Sequence, residues 1–260
     1  MKRLSLATAP LLLLAASCGR SRVDPSELTV FAAASLEDVA REVSTLFERE
    51  TGLRVVLNTA GSNLLARQIE ASLQGDVFLS ASEEWIDWLE QRDRVEPGTR
   101  ATILTNRLVV AAREDSTLVL GEIEDLASAP YRNLVLADPE AVPAGIYART
   151  LLSGVALATG TLWERVADRV VPTLDVRAAL ALLEADPLLI GIVYATDAAI
   201  SARIRVLLDV DASHQPPVTY GACLVRGTPQ KEAALRYLAF LSGEEARGVF
   251  RRHGFGIPAE

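Results

Sequence analysis

The feature that most constrains this chain is alternation. Short apolar runs of strand length are followed, again and again, by segments whose apolar residues recur at helical spacing. Leu28–Ala33 is a strand candidate, and behind it Leu36, Val39, Ala40, Val43, Leu46 and Phe47 fall three or four apart until Gly52 stops the helix. Leu53–Leu57, Val77–Ser80, Arg107–Ala112, Leu134–Ala137, Leu188–Tyr194, Ile204–Leu208 and Thr219–Val225 read as further strands. Leu64–Leu73, Glu83–Gln91, Tyr147–Leu152, Val176–Glu184, Lys231–Leu241 and Glu244–Arg251 read as helices. Strand–helix units with short connections predict an α/β fold, with mostly parallel sheet covered by helices on both faces. In such sheets ligands gather beyond the carboxyl ends of the strands, where helices begin. No internal repeat and no low-complexity stretch interrupts the pattern.

The first residues read as an address rather than as fold. Lys2 and Arg3 precede an apolar run, Leu4–Ala16, and small residues Ala15-Ala16-Ser17 lead to Cys18. That is the layout of a secretory signal, with an apolar run shorter than the roughly 20 residues a spanning helix takes. Leu14-Ala15-Ala16-Ser17-Cys18 resembles a bacterial lipobox, with Leu one place further from the Cys than is usual. On this reading residues 1–17 are a lipoprotein-type signal peptide, Cys18 is lipidated, and residues 18–26 tether an exported protein to the membrane surface. The alternative is an ordinary secretory signal with an incidental Cys. Cys223, within the apolar run 218–225, then has no partner and reads as a small buried hydrophobe. The formal net charge of −8 argues against a nucleic-acid partner. No His or Cys pair has metal-ligand spacing, so neither a metal centre nor a cofactor is expected.

Four predicted helix starts carry small residues and bare amides. Ala32-Ala33-Ala34-Ser35 ends a strand, and Ser35 with Asp38 fits a capping box. Ala60-Gly61-Ser62-Asn63 is a second such turn. The third runs from Asp138 through two prolines, Pro139 and Pro143, to Ala144-Gly145. The fourth is Thr173-Leu174-Asp175-Val176-Arg177, with Asp175 as N-cap and Arg177 read as a solvated helix residue. Tyr194 closes the apolar run Leu189–Tyr194, at the end where sites form. Amides at helix starts lack intrahelical partners and face the positive end of the helix dipole, which suits an anion. Each start, taken alone, reads equally as a plain cap.

Together these segments resemble a known family. Val30–Leu36, Leu65–Glu70, Asp138-Pro139-Glu140 with Val142–Ala148, Asp175-Val176-Arg177 with Ala179–Leu182, Gly191–Tyr194 and Arg252-His253-Gly254-Phe255 are similar, in order, to the periplasmic molybdate-binding proteins of bacterial molybdate transporters. The resemblance runs from about residue 28 to residue 257. It implies a type II two-lobed periplasmic-binding-protein fold, with the oxyanion in the cleft between lobes. It also implies two crossings between lobes, so that lobe one is 27–105 plus 215–260 and lobe two is 106–214. The family's ligand contacts carry over onto Ser35, Ser62, Ala144, Val176 and Tyr194. The implied protein is a monomer that takes molybdate or tungstate, with molybdenum bound only as the oxyanion, and hands it to the permease subunits of an ABC importer. Asn63 departs from the small Ser or Gly residues common at its place in relatives.

Two other readings stay open. The same fold could serve sulfate, phosphate or a small organic acid. Serines at strand-to-helix turns also suit a serine hydrolase, although no Gly-x-Ser-x-Gly elbow is present and the two histidines, His214 and His253, lie far along the chain. A donor-rich site without a carboxylate acceptor would disfavour a protonated oxyanion such as hydrogen phosphate.

Overall fold

The computed structural model describes residues 27–72 and 74–259, so the leader, Cys18 and the tether lie outside the described residues. Strands and helices follow in the order β1 (Glu27–Ala33), α1 (Glu37–Thr51), β2 (Arg54–Ala60), α2 (Ser62–Ser72), β3 (Val77–Ser80), α3 (Glu83–Glu90), β4 (Ala101–Asn106) and β5 (Leu108–Arg113). The middle of the chain supplies β6 (Asn133–Ala137), α4 (Pro143–Gly154), α5 (Leu162–Val166), β7 (Val170–Thr173), α6 (Val176–Ala185), β8 (Leu189–Tyr194), α7 (Ala195–Ile200) and β9 (Ile204–Asp209). It closes with β10 (Val218–Leu224), α8 (Lys231–Leu241) and α9 (Glu244–Arg252).

The strands form two five-stranded sheets, ordered β2-β1-β3-β10-β4 and β7-β6-β8-β5-β9. The expectation of mostly parallel sheet needs refinement. β1 pairs in parallel with β2 and β3, but β10 is antiparallel to both β3 and β4. In the second sheet β6 is parallel to β7 and β8, and β5 is antiparallel to β8 and β9. One strand per sheet therefore runs against the rest. In each case it is the first strand after the chain changes sheets: β5 follows the passage at Arg107, and β10 follows the return through residues 210–217.

Taken from their own starts, the sheets share one order. β6, β7, β8, β5 and β9 occupy the places of β1, β2, β3, β10 and β4. Buried strands such as β8, apolar throughout, form the middle layer of each lobe. Helices cover them through one apolar stripe each; α1 buries Val39, Ala40, Val43 and Phe47. Phe47 meets the Tyr237 ring of α8 edge-on at 5.0 Å, and Ser44 Oγ lies 2.9 Å from the Tyr237 hydroxyl. Phe255 folds back after α9 to pack edge-on against Tyr220 at 5.5 Å.

Candidate functional site

The shared topology places four strand-to-helix turns in two equivalent pairs. The turns after β1 and β2 belong to the first lobe, and those after β6 and β7 to the second. They converge on a small cavity lined by Ser35, Ser62, Ala144, Val176 and Tyr194 together with small neighbours such as Ala34, Gly61 and Ala81. All five residues singled out in the sequence thus share one cavity. None of them is more than 5% exposed, so the two lobes meet over it.

Each turn leaves donors at its tip. In α2, Leu64 and Leu65 both donate to the Gly61 carbonyl at 2.9 and 3.1 Å, and the amides of Ser62 and Asn63 precede any carbonyl of their own helix. In α4, Pro143 at the first position has no N–H and Ile146 makes the first turn's bond to Val142 at 2.9 Å, which leaves Ala144 and Gly145. Gly145 is required there, because a Cβ would stand 2.1 Å from the Ala137 carbonyl oxygen. In α6 the Asp175 carboxylate caps Ala178 at 2.9 Å, as its sequence position predicts, so Val176 and Arg177 keep open amides. Ser35 lies in a single 3-10 turn, Ala34–Leu36, that leads into α1.

The capping box expected from Ser35 and Asp38 does not form: no side-chain cap is present at either the 3-10 turn or α1. The Ser35 hydroxyl instead accepts from the Tyr220 hydroxyl at 3.2 Å, and Tyr220 in turn accepts from Asn106 Nδ2 at 3.1 Å. Ser62 Oγ accepts from the Ala81 amide at 3.0 Å. Both serine hydroxyls are thereby left with a proton to direct elsewhere. Tyr194, the N-cap of α7, is fully enclosed, and its hydroxyl has no hydrogen-bond partner. Burial pushes this phenol well above its ordinary range, so it stays a protonated donor. The carboxylate among the lining residues, Asp175, is already engaged at Ala178.

Comparison with known proteins fits this geometry. The family described as bacterial extracellular solute-binding protein matches residues 28–256. The chain belongs to that family. The molybdate-binding protein ModA of Escherichia coli is 35% identical over 246 residues, covering 93% of each chain. ModA of Haemophilus influenzae is 32% identical and covers 98% of this chain and 99% of its own. The solved periplasmic molybdate-binding protein of Azotobacter vinelandii superposes with a TM-score of 0.77 at 22% identity, over 89% of this chain and all of that one, and shares the fold.

A second layer in this solute-binding protein was not legible as a site in its sequence. Arg177 is not a solvated surface residue. Its Nη2 donates to Asp38 Oδ2 at 2.7 Å, and its Nε lies 2.6 Å from Asp197 Oδ1. Asp197, on α7, is fully buried, and burial raises its carboxyl to about 7 against the pull of Arg177. One sequence signal did exist: Asp197 is a lone carboxylate in the otherwise uncharged stretch 189–200.

Proposed function

We propose that this protein captures molybdate in the cleft between its lobes and delivers it to the permease of an ABC importer. Tungstate, of nearly the same size, is the other ligand that fits. The observation that carries the reading is the Tyr194 hydroxyl, buried and without a partner in a cavity ringed by four helix starts. A buried, unpaired hydroxyl costs about 1–3 kcal/mol, a cost a ligand oxygen would remove. In this reading Ser35 and Ser62 offer hydroxyls and amides, Ala144 and Val176 offer amides, and Tyr194 offers its phenol. The lobes are 27–105 plus 215–260 and 106–214. The mature protein is a monomer held to the membrane by lipidated Cys18.

Neutral donors suffice for a dianion because they replace its water shell without a counter-charge. Each hydrogen bond to a charged group contributes about 1.5–3 kcal/mol. Selectivity follows from the same inventory. Hydrogen phosphate would bring an O–H for which the engaged Asp175 is a poor acceptor. Sulfate is smaller and would make longer contacts with donors fixed by helix starts. The hydrolase reading finds little support at the cavity: no histidine lines it, and His253 Nε2 is paired with Glu42 at 2.7 Å. An oxyanion panel read by thermal shift and calorimetry tests the proposal. Molybdate and tungstate are expected to stabilise by about 2.7 kcal/mol at a hundredfold excess over Kd, and sulfate and phosphate to do little. Absence of heat with both metal oxyanions sinks it.

A further inference from the structure

Between the cavity and solvent, one side chain joins the two lobes by charge. Arg177 is the second residue of α6, directly after Val176 at the cavity wall. Behind it, in its own lobe, stands Asp197 on α7, with a side chain 0% exposed and Oδ1 2.6 Å from Arg177 Nε. Ahead of it, on the opposite lobe, Asp38 near the start of α1 accepts from Nη2 at 2.7 Å. Asp175, on the turn before α6, joins Asp38 as a second carboxylate in the surroundings of Asp197. The phenols of Tyr194 and Tyr220 complete them.

We propose that Arg177 is a positioning residue that latches the closed lobes, held in place by Asp197 and engaging Asp38 across the cleft. Three features support it. The guanidinium is fixed from one side before it reaches across, so little side-chain freedom is lost when the second contact forms. The pair with Asp38 is sheltered on the arginine side (24% exposed) and open on the aspartate side (48%), so solvent screens it only in part. And Gly61 in the first lobe lies close to Leu174 and Asp175 in the second, a Cβ there standing 3.1 Å from the Leu174 carbonyl oxygen, so the backbones beside Arg177 are already in contact across the cleft.

A contact made only in the closed state slows ligand escape, and to the extent that it closes the ligand-free protein it does not speed entry. The inference rests on the oxyanion reading for its ligand but not for its geometry. The test uses the mature protein with Asp38→Asn and Asp38→Glu. Washout of radiolabelled molybdate is expected to be about two- to fivefold faster for Asp38→Asn, the range for a partly screened ion pair. The association rate is not lowered, because the ligand-free variant opens at least as readily as the wild type, and Asp38→Glu restores slow release. Unchanged washout in Asp38→Asn, or a change confined to association, overturns the latch. Small-angle scattering on the ligand-free protein gives a readout independent of ligand identity. The Asp38→Asn protein is expected to be more expanded than the wild type, and identical profiles count against the latch. A wild type that gives no heat with molybdate overturns the oxyanion reading and leaves the scattering comparison to decide this one.

Discussion

At the residue scale, two buried groups carry most of the chemistry, and both are titratable. Tyr194 has an enclosed hydroxyl without a partner. Tyr194→Phe should therefore weaken molybdate binding about tenfold to a hundredfold, one hydrogen bond to a charged group. The same change should leave ligand-free stability equal or slightly higher, because it removes an unpaired polar atom. Calorimetry and urea unfolding on one preparation check both halves, and a destabilised variant would contradict the account. Asp197 differs, because its carboxyl is raised to about 7 from an ordinary 3.8, burial outweighing Arg177. An acid whose folded pKa is raised binds its proton more tightly in the folded state. The stability it contributes is fully present below the unfolded pKa and is lost as pH climbs through about 7. Relative to Asp197→Asn, the wild type should thus lose stability between pH 5 and pH 8. If urea unfolding showed the wild type gaining over that interval, the Arg177 charge would be outweighing burial.

At the scale of elements, the site depends on helix starts docked closely onto strand ends. Gly145 shows how close: its missing Cβ would fall 2.1 Å from the Ala137 carbonyl oxygen and 2.5 Å from that of Asp138, both backbone atoms that cannot swing aside. Gly145→Ala must lift the start of α4 from the end of β6. It is expected to cost about 1–3 kcal/mol of stability, as overpacked cores do, and to carry the Ala144 amide out of the cavity. Thermal unfolding should show the first effect and loss of molybdate heat the second; a variant with wild-type binding refutes the placement of Ala144. That need for glycine was not readable in the sequence, where Ala144-Gly145 marked only bare amides at a helix start, since the carbonyl it faces is set by tertiary packing. The elements divide in a similar way. Strands with continuous apolar runs, such as β8, and helices with a clear stripe and stop, such as α1 with Gly52, were legible from pattern. β4, β7, α5 and α7 were not. β4 is exposed at Ala101 and Thr102 and ends in Thr105-Asn106, and β7 holds Pro172 at a sheet edge, where a proline is tolerated but hides the strand. α5 and α7 span five and six residues, too few to display a helical period. α4 begins at Pro143, ahead of the apolar spacing from Tyr147 that marks its body.

For the whole molecule, the decisive property is that one topology occurs twice, so equivalent turns face each other. Nothing in the residues repeats, and convergence of the four starts was legible only through resemblance to a family; each alone matched an ordinary cap. Because the five cavity residues are at most 5% exposed, an oxyanion cannot enter without the lobes parting. The links that must flex are short: the step through Arg107 between β4 and β5, and residues 210–217 between β9 and β10. Closure should then be visible to a probe on the rim. Trp85 of α3 donates its indole N–H across the cleft to the Ala141 carbonyl at 3.0 Å. Trp88 lies beside it, its ring tilted by 59° and 5.6 Å away, while Trp163 sits on α5 in the second lobe. Forming the Trp85 contact transfers an indole from water to a fixed carbonyl. Molybdate is therefore expected to change tryptophan emission in the wild type, and the change should vanish in Trp85→Phe while the heat of binding persists. Were the signal to survive that substitution, the ligand would be acting on a tryptophan away from the rim, and lobe closure as drawn would not be the motion that accompanies capture.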